Sequence, residues 1–180
     1  MKRILLSIVL AAALVFVLSG SALAVPPAGA AAGSFFVFGE AVPFQYDGGP
    51  FGAYAFSIGA GYAISDSFAL GLTYQSYPGF NFFGGFADLA LGPVSLTGEF
   101  FIGAYNDGWY KLTGLYMIDL DPFTLGLGGG LQGVVNPDSS ALFLEGYASI
   151  AVSDNFSIYG SVDYWFAGYA TASAGLSLAF

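Results

Sequence analysis

Residues 54–64 read Tyr54-Ala55-Phe56-Ser57-Ile58-Gly59-Ala60-Gly61-Tyr62-Ala63-Ile64, and they alternate with a period of two. Tyr54, Phe56, Ile58, Ala60, Tyr62 and Ile64 form one face, mostly large and apolar, while Ala55, Ser57, Gly59, Gly61 and Ala63 form a small or polar one. Successive side chains of an extended strand point to opposite sides, so this is a strand pattern. A soluble half-buried strand also alternates, but it carries charge on its solvent face. Large apolar residues on one side and Gly, Ala and Ser on the other fit a strand with lipid outside and a crowded lumen inside.

The pattern recurs along the chain. Phe68, Leu70, Leu72 and Tyr74 alternate with Ala69, Gly71, Thr73 and Gln75, and Val94, Leu96, Phe100 and Ile102 with Ser95, Thr97, Glu99 and Gly103. Further segments follow Tyr110 to Asp119, Phe123 to Gln132 and Phe156 to Tyr164, and in each the charged residues fall on the inner face. Weaker segments at 35–42, 82–91, 141–152 and 169–180 bring the count to ten strands, with eight as the alternative. Most are about as long as the ~9–11 residues that a tilted strand needs to cross a bilayer. The predicted fold is therefore an all-β, closed, antiparallel up-and-down transmembrane β-barrel over residues 35–180. Its first strand is the hardest to orient, because Phe35, Phe36, Val37 and Phe38 are apolar on both faces.

The connections are of two kinds. Ser65-Asp66-Ser67, Gly92-Pro93, Asp121-Pro122 and Ser153-Asp154-Asn155 are tight turns; Pro43 to Pro50, Pro78 to Asn81, Asn106 to Gly108, Asn136 to Ser140 and Ala167-Gly168 make the other set. Bacterial barrels have short periplasmic turns and longer outer loops, which assigns the first set to the periplasm. The outer loops are themselves short, which argues against a plug or a protein-binding crown. Two of the turns, Ala63 to Phe68 and Ala151 to Phe156, resemble each other closely, as shared Ser, Asp and Asn turn chemistry explains.

Ahead of the barrel, Met1-Lys2-Arg3, the apolar run Ile4 to Leu18 and the small residues Ser19 to Ala24 form a secretory signal, with an A-x-A site ending at Ala24. The run is shorter than the ~20 residues of a spanning helix. Residues 1–24 are thus expected to be a signal peptide and 25–34 a flexible N-terminal segment. Cleavage leaves one cation, Lys111, against twelve acidic residues, a formal charge of −11. No basic patch remains for nucleic acid, which binds through Lys and Arg. Cysteine is absent, so neither disulfides nor thiolate metal sites hold the fold. The chain is 56% hydrophobic and only 8% charged. A soluble domain carries about 25% charge, so lipid is the expected solvent.

Aromatic residues mark the strand ends. Phe68, Phe123 and Phe156 are each the first outward residue after a periplasmic turn, and Phe180 ends the last strand; at one height they form an interfacial girdle. Tyr54, Tyr74, Tyr110, Tyr164 and Phe166 supply the opposite belt. In the last segment Leu176, Leu178 and Phe180 alternate with Gly175, Ser177 and Ala179. Here the chain resembles small outer-membrane barrels of the OmpA, OmpX and OmpW kind, which end in an alternating strand with a terminal Phe. The resemblance implies that Leu176, Leu178 and Phe180 form the sorting signal read by the barrel-assembly machinery. It also implies a Gram-negative outer membrane as the location and outer-membrane lipid as a partner. The scarcity of basic residues, three Lys and Arg in the whole sequence, departs from many such relatives.

Histidine is absent. Barrel enzymes of similar size, such as omptin proteases and lipid A acyltransferases and deacylases, depend on a catalytic His. Carboxylates alone would need a substrate cleft that a filled barrel with short loops does not offer. No catalytic, cofactor-binding or metal-binding residue is assigned, and no cofactor is expected. Gly126-Leu127-Gly128-Gly129-Gly130 matches no phosphate-binding motif. Inner-face glycine instead makes room for bulky partners, and Phe101, Tyr105, Phe143, Tyr147, Tyr159 and Trp165 have inward parity. The remaining constellation is the inner-facing charge: Asp88, Glu99, Glu145 and Asp163, with Glu40, and Lys111 as the one cation. Eight strands are just filled by side chains, so ten should be nearly filled. The expected role is a non-enzymatic barrel with a structural or surface-interaction function. A narrow cation-preferring pore is the alternative, since carboxylate rings favour cations. A secreted lipocalin-like carrier is a third reading, disfavoured by the apolar outward face.

Overall fold

A computed structural model of the chain describes residues 32–46, 55–77, 79–103, 108–135, 138–166 and 168–180. The expected signal peptide and most of the expected flexible segment lie outside the described residues. At the end of that segment, the Ala32 amide donates to Asp66 Oδ1 at 3.0 Å and the Gly33 amide to the Ala63 carbonyl at 2.8 Å.

Ten strands follow: β1 (Phe35–Tyr46), β2 (Ala55–Ser65), β3 (Phe68–Tyr77), β4 (Phe80–Leu91), β5 (Val94–Gly103), β6 (Gly108–Asp119), β7 (Phe123–Val135), β8 (Asp138–Ser153), β9 (Phe156–Trp165) and β10 (Tyr169–Ala179). Each pairs antiparallel with its chain neighbours, and β1 pairs with β10, for example Val37 with Leu178, so the sheet closes as predicted. Closure gives every strand a hydrogen-bonded neighbour on both sides, which is the condition for a sheet to sit in hydrocarbon. The strands are staggered. Val37, near the turn end of β1, leads through its successive partners Ala60, Leu72, Gly85, Phe100, Tyr110 and Gly133 to Ser140, at the opposite end of β8. Such a climb is the signature of tilted barrel strands.

Turn chemistry follows the sequence. The tight ends lie at Asp66-Ser67, Gly92-Pro93, 120–122 and Asp154-Asn155. Gly92 adopts a φ of 61°, which a residue with a Cβ rarely takes. In the two similar turns the register shifts at the same place, between Ala63 and Ser65 and between Ala151 and Ser153, so shared residues give a shared irregularity. Several strands run further than the sequence suggests: β4 starts at Phe80, where Phe80 and Asn81 pair with Tyr77 and Ser76, and β6 starts at Gly108, which pairs with Ile102. β1 continues through Pro43 to Tyr46, with the register shifting between Ala41 and Phe44; a proline, lacking an N–H, fits at such a break. β8 starts at Asp138 rather than Ala141, because Ser139 and Ser140 keep pairing with Val134 and Gly133.

The faces separate cleanly. Leu72, Leu127 and Phe83 are 74%, 71% and 67% exposed on the outside, and Ile58, Ile102, Leu112, Leu144 and Tyr164 join them. Clefts of about 700 Å³ lie on this outward side, where leucines flank Gly98, Gly114 and Gly129. Inside lie Ser, Thr, aromatic and charged residues, nearly all buried. A closed sheet with an apolar exterior and a polar, packed interior is the architecture of a barrel of the bacterial outer membrane.

Candidate functional site in the barrel lumen

Glycine on one strand and an aromatic ring on a neighbouring strand build the lumen wall together. A Cβ on Gly59 would overlap the Phe38 ring, one on Gly61 the Phe36 ring, and one on Gly71 the Phe86 ring. The same relation holds for Gly84 and Phe101, Gly130 and Phe143, and Gly175 and Tyr159. The small inward positions therefore exist for the rings, which lie flat across them rather than projecting to the axis. Phe36, Phe38 and Phe86 pack as one cluster with Ala69 toward the turn end. Leu115, Tyr147 and Tyr159 form another, with Met117 against it.

Toward the loop end the rings stack in pairs. Phe101 lies on Trp109 at 4.0 Å between centroids, Phe143 meets Trp165 at 4.7 Å, and Trp165 stacks on Tyr169 at 5.2 Å. Trp165 Nε1 donates to Thr171 Oγ1 at 3.1 Å, which fixes the plane of the indole. Aromatic pairs of this kind contribute roughly 0.5–1.5 kcal/mol beyond the area they bury.

Between these layers sits the charged group. Strand pairing places Glu99 opposite Lys111 on β5 and β6, and Glu145 opposite Asp163 on β8 and β9. Lys111 Nζ reaches across the lumen to Asp163 Oδ2 at 2.7 Å and lies 3.6 Å from Glu145 Oε2. It also stands 4.4 Å from the centre of the Phe143 ring and 5.9 Å from that of Trp165. The ammonium thus meets carboxylate on one side and π-face on the other, and both interactions strengthen once water is excluded. Water is excluded here: Lys111, Glu145 and Asp163 are 2%, 1% and 0% exposed. The network ties β6 to β8 and β9 through the interior, a link that sheet hydrogen bonds do not supply.

Of the charges read from the sequence, Glu40, Glu99, Lys111, Glu145 and Asp163 are buried and Asp88 is half-buried. Asp88 lies apart from the central group and accepts from Ser95 Oγ at 3.0 Å and Thr97 Oγ1 at 2.7 Å. Glu40 and Glu99 are buried, each at 4% exposure. Hydroxyl pairs complete the polar wall, Ser157 with Ser177 at 2.7 Å and Ser161 with Ser173 at 3.1 Å. Phe101, Phe143, Tyr147, Tyr159 and Trp165 are buried inside, whereas Tyr105 lies outside the described residues. Sequence reasoning missed Phe36, Phe38, Phe86 and Trp109, all buried in the lumen. Parity would have found them, since each lies an even number of residues from inward Glu40, Asp88 or Lys111. Among the described residues, no group of three or more His, Cys, Asp and Glu is arranged to hold a metal ion.

At the turn end, Phe68, Phe123 and Phe156 open β3, β7 and β9, and Phe180 follows β10 with its amide bonded to the Phe35 carbonyl at 2.7 Å. Phe123 and Phe180 are exposed. At the loop end Tyr164 and Phe166 are exposed outward, Tyr74 and Tyr110 are half-buried, and Tyr54 lies outside the described residues.

No family model matches the chain, and no curated protein matches it. Solved barrels do resemble it in fold. The N-terminal barrel domain of Pseudomonas aeruginosa OprF is 16% identical, over 83% of this chain and 98% of that one, with a TM-score of 0.42. Neisserial surface protein A is 19% identical, over 81% and 98%, with a TM-score of 0.42. Pseudomonas putida OprB is 14% identical over 71% of this chain, which spans about half of that longer barrel (47%), with a TM-score of 0.38.

Proposed function

We propose that this chain is a non-enzymatic outer-membrane barrel with a structural or surface-interaction role and a lumen closed to ions. The observation that carries the reading is the Lys111–Asp163 contact at 2.7 Å, inaccessible to solvent and covered by Phe143 and Trp165. A hydrated cation would have to displace an ion pair and two ring stacks to pass. The missing histidine supports the non-enzymatic part, since the barrel enzymes of this size use one. The apolar exterior supports a membrane protein over a secreted carrier.

In this reading the barrel-assembly machinery takes the chain by β10, with Leu176, Leu178 and Phe180 on the lipid side, and Phe68, Phe123, Phe156 and Phe180 anchor the turn end at the membrane interface. Asp88, Glu99, Lys111, Glu145 and Asp163 serve as internal cross-links, not as a selectivity filter. Purified barrels in a planar bilayer test this directly. Silence is the expected record. A steady cation-selective conductance, lowered when Glu99, Glu145 and Asp163 are all replaced by Gln, would overturn the closed-lumen reading in favour of the pore.

A further inference from the structure

The turn end of the barrel repeats a three-residue unit. Asp66-Ser67-Phe68, Asp121-Pro122-Phe123 and Asp154-Asn155-Phe156 each place an aspartate at a tight turn and a phenylalanine at the head of the next strand. All three aspartates are exposed. No Lys or Arg stands at this end among the described residues, and the one cation beyond Arg3, Lys111, is sealed in the lumen. The units recur at three of the four turns, so the negative charge is spread around the rim and not gathered at one point.

Two residues of chain span at most about 7 Å. With each Phe at the boundary between acyl chains and headgroups, its aspartate stands one step further out, in the headgroup layer itself. The chemistry it meets there depends on the lipid. Anionic glycerol lipids present phosphate charge of the same sign. Ethanolamine lipids present an ammonium group beyond the phosphate, which a carboxylate attracts and to which it can accept a hydrogen bond.

We infer that this rim selects ammonium-bearing zwitterionic lipids as its neighbours and disfavours anionic ones. The inference rests on the outer-membrane reading above and adds the headgroup chemistry that the barrel fits. Exposed charges act weakly and are screened by salt, so the selectivity is modest and ionic-strength dependent. It is about two- to fourfold in relative association at low salt, from several such contacts together.

Folded barrel in phosphatidylcholine vesicles, probed with spin-labelled phosphatidylethanolamine or phosphatidylglycerol, supplies the test. The lipid held at the protein surface gives a motionally restricted component in the resonance spectrum. The expected result is a two- to fourfold larger restricted fraction for the ethanolamine probe at low salt, shrinking toward equality in 0.5 M NaCl, roughly where the Debye length falls well below 10 Å. The triple variant Asp66→Asn/Asp121→Asn/Asp154→Asn should lose most of the difference. Asn keeps the turn chemistry and the oxygen that accepts from the Ala32 amide. Equal restriction of the two probes, stronger restriction of phosphatidylglycerol, or a preference untouched in the triple variant would overturn the inference. A rim that serves a basic protein instead gives the first of these results. No restricted component for any probe would overturn the membrane reading itself, and this inference with it.

Discussion

Lys111 is held by groups that only the closed barrel brings together. Its Asp163 partner is 52 residues away in the chain and three strands round the wall. Lys111→Met would leave Asp163 and Glu145 buried without their cation, and removing one partner of a buried pair typically costs about 3–5 kcal/mol. The loss should be read in urea unfolding of the reconstituted barrel. Lys111→Met combined with Asp163→Leu should recover part of it, because an apolar pair of similar volume is often tolerated. Glycine is the other residue whose meaning the ring decides. Gly61→Val would drive a side chain into Phe36 and the Leu70 carbonyl, and overpacking of this kind costs about 1–3 kcal/mol in the same assay. The sequence marks Gly61 as inward and small but does not say which ring lies on it, because that ring belongs to β1.

Strands are the scale at which the sequence is most legible, since alternation is a property of a single extended segment. In β3, Leu72 is 74% exposed while Thr73 beside it is buried, as their parity predicts. Leu72→Arg should therefore destabilise the barrel in vesicles by about 2–4 kcal/mol. Leu91→Arg, outward at the turn end of β4, should cost about 0–1 kcal/mol, because the penalty falls toward the interface. Equal costs at the two depths would place the bilayer wrongly along the strands. For β10, deleting Phe180 should leave more of the chain unassembled and protease-sensitive in the periplasm, measured as the fraction that shows heat-modifiable gel mobility. Strand ends were less legible. Pro43, Ser139 and Ser140 look like loop residues, yet pairing with a neighbouring strand carries β1 and β8 past them. That extension is stabilised across strands and has no signature within the segment.

At the scale of the whole molecule, charge and closure combine. In a chain processed after Ala24, Lys111 is the one tryptic site, and it is buried. The folded barrel should resist trypsin completely, while the heat-denatured chain should be cut once into two fragments, as mass spectrometry would show. Cleavage of folded, membrane-inserted protein at Lys111 would mean that the lumen opens to solvent. Period-two alternation, the small inner face, the recurring turn residues and the absence of histidine are all local or compositional, so the sequence alone determined the barrel class, the lipid-facing side and the exclusion of His-dependent chemistry. Tertiary structure decided what fills the lumen. Phe35 to Phe38 are apolar on both sides, and pairing with β2 and β10 turns Phe36 and Phe38 inward, where Gly59 and Gly61 leave them space. Asp163 reaches Lys111 only because closure sets β9 across from β6. Which charge meets which depends on the circumference, the stagger and the volume of every ring between them. No stretch of sequence encodes those quantities, because they exist only once β1 has found β10.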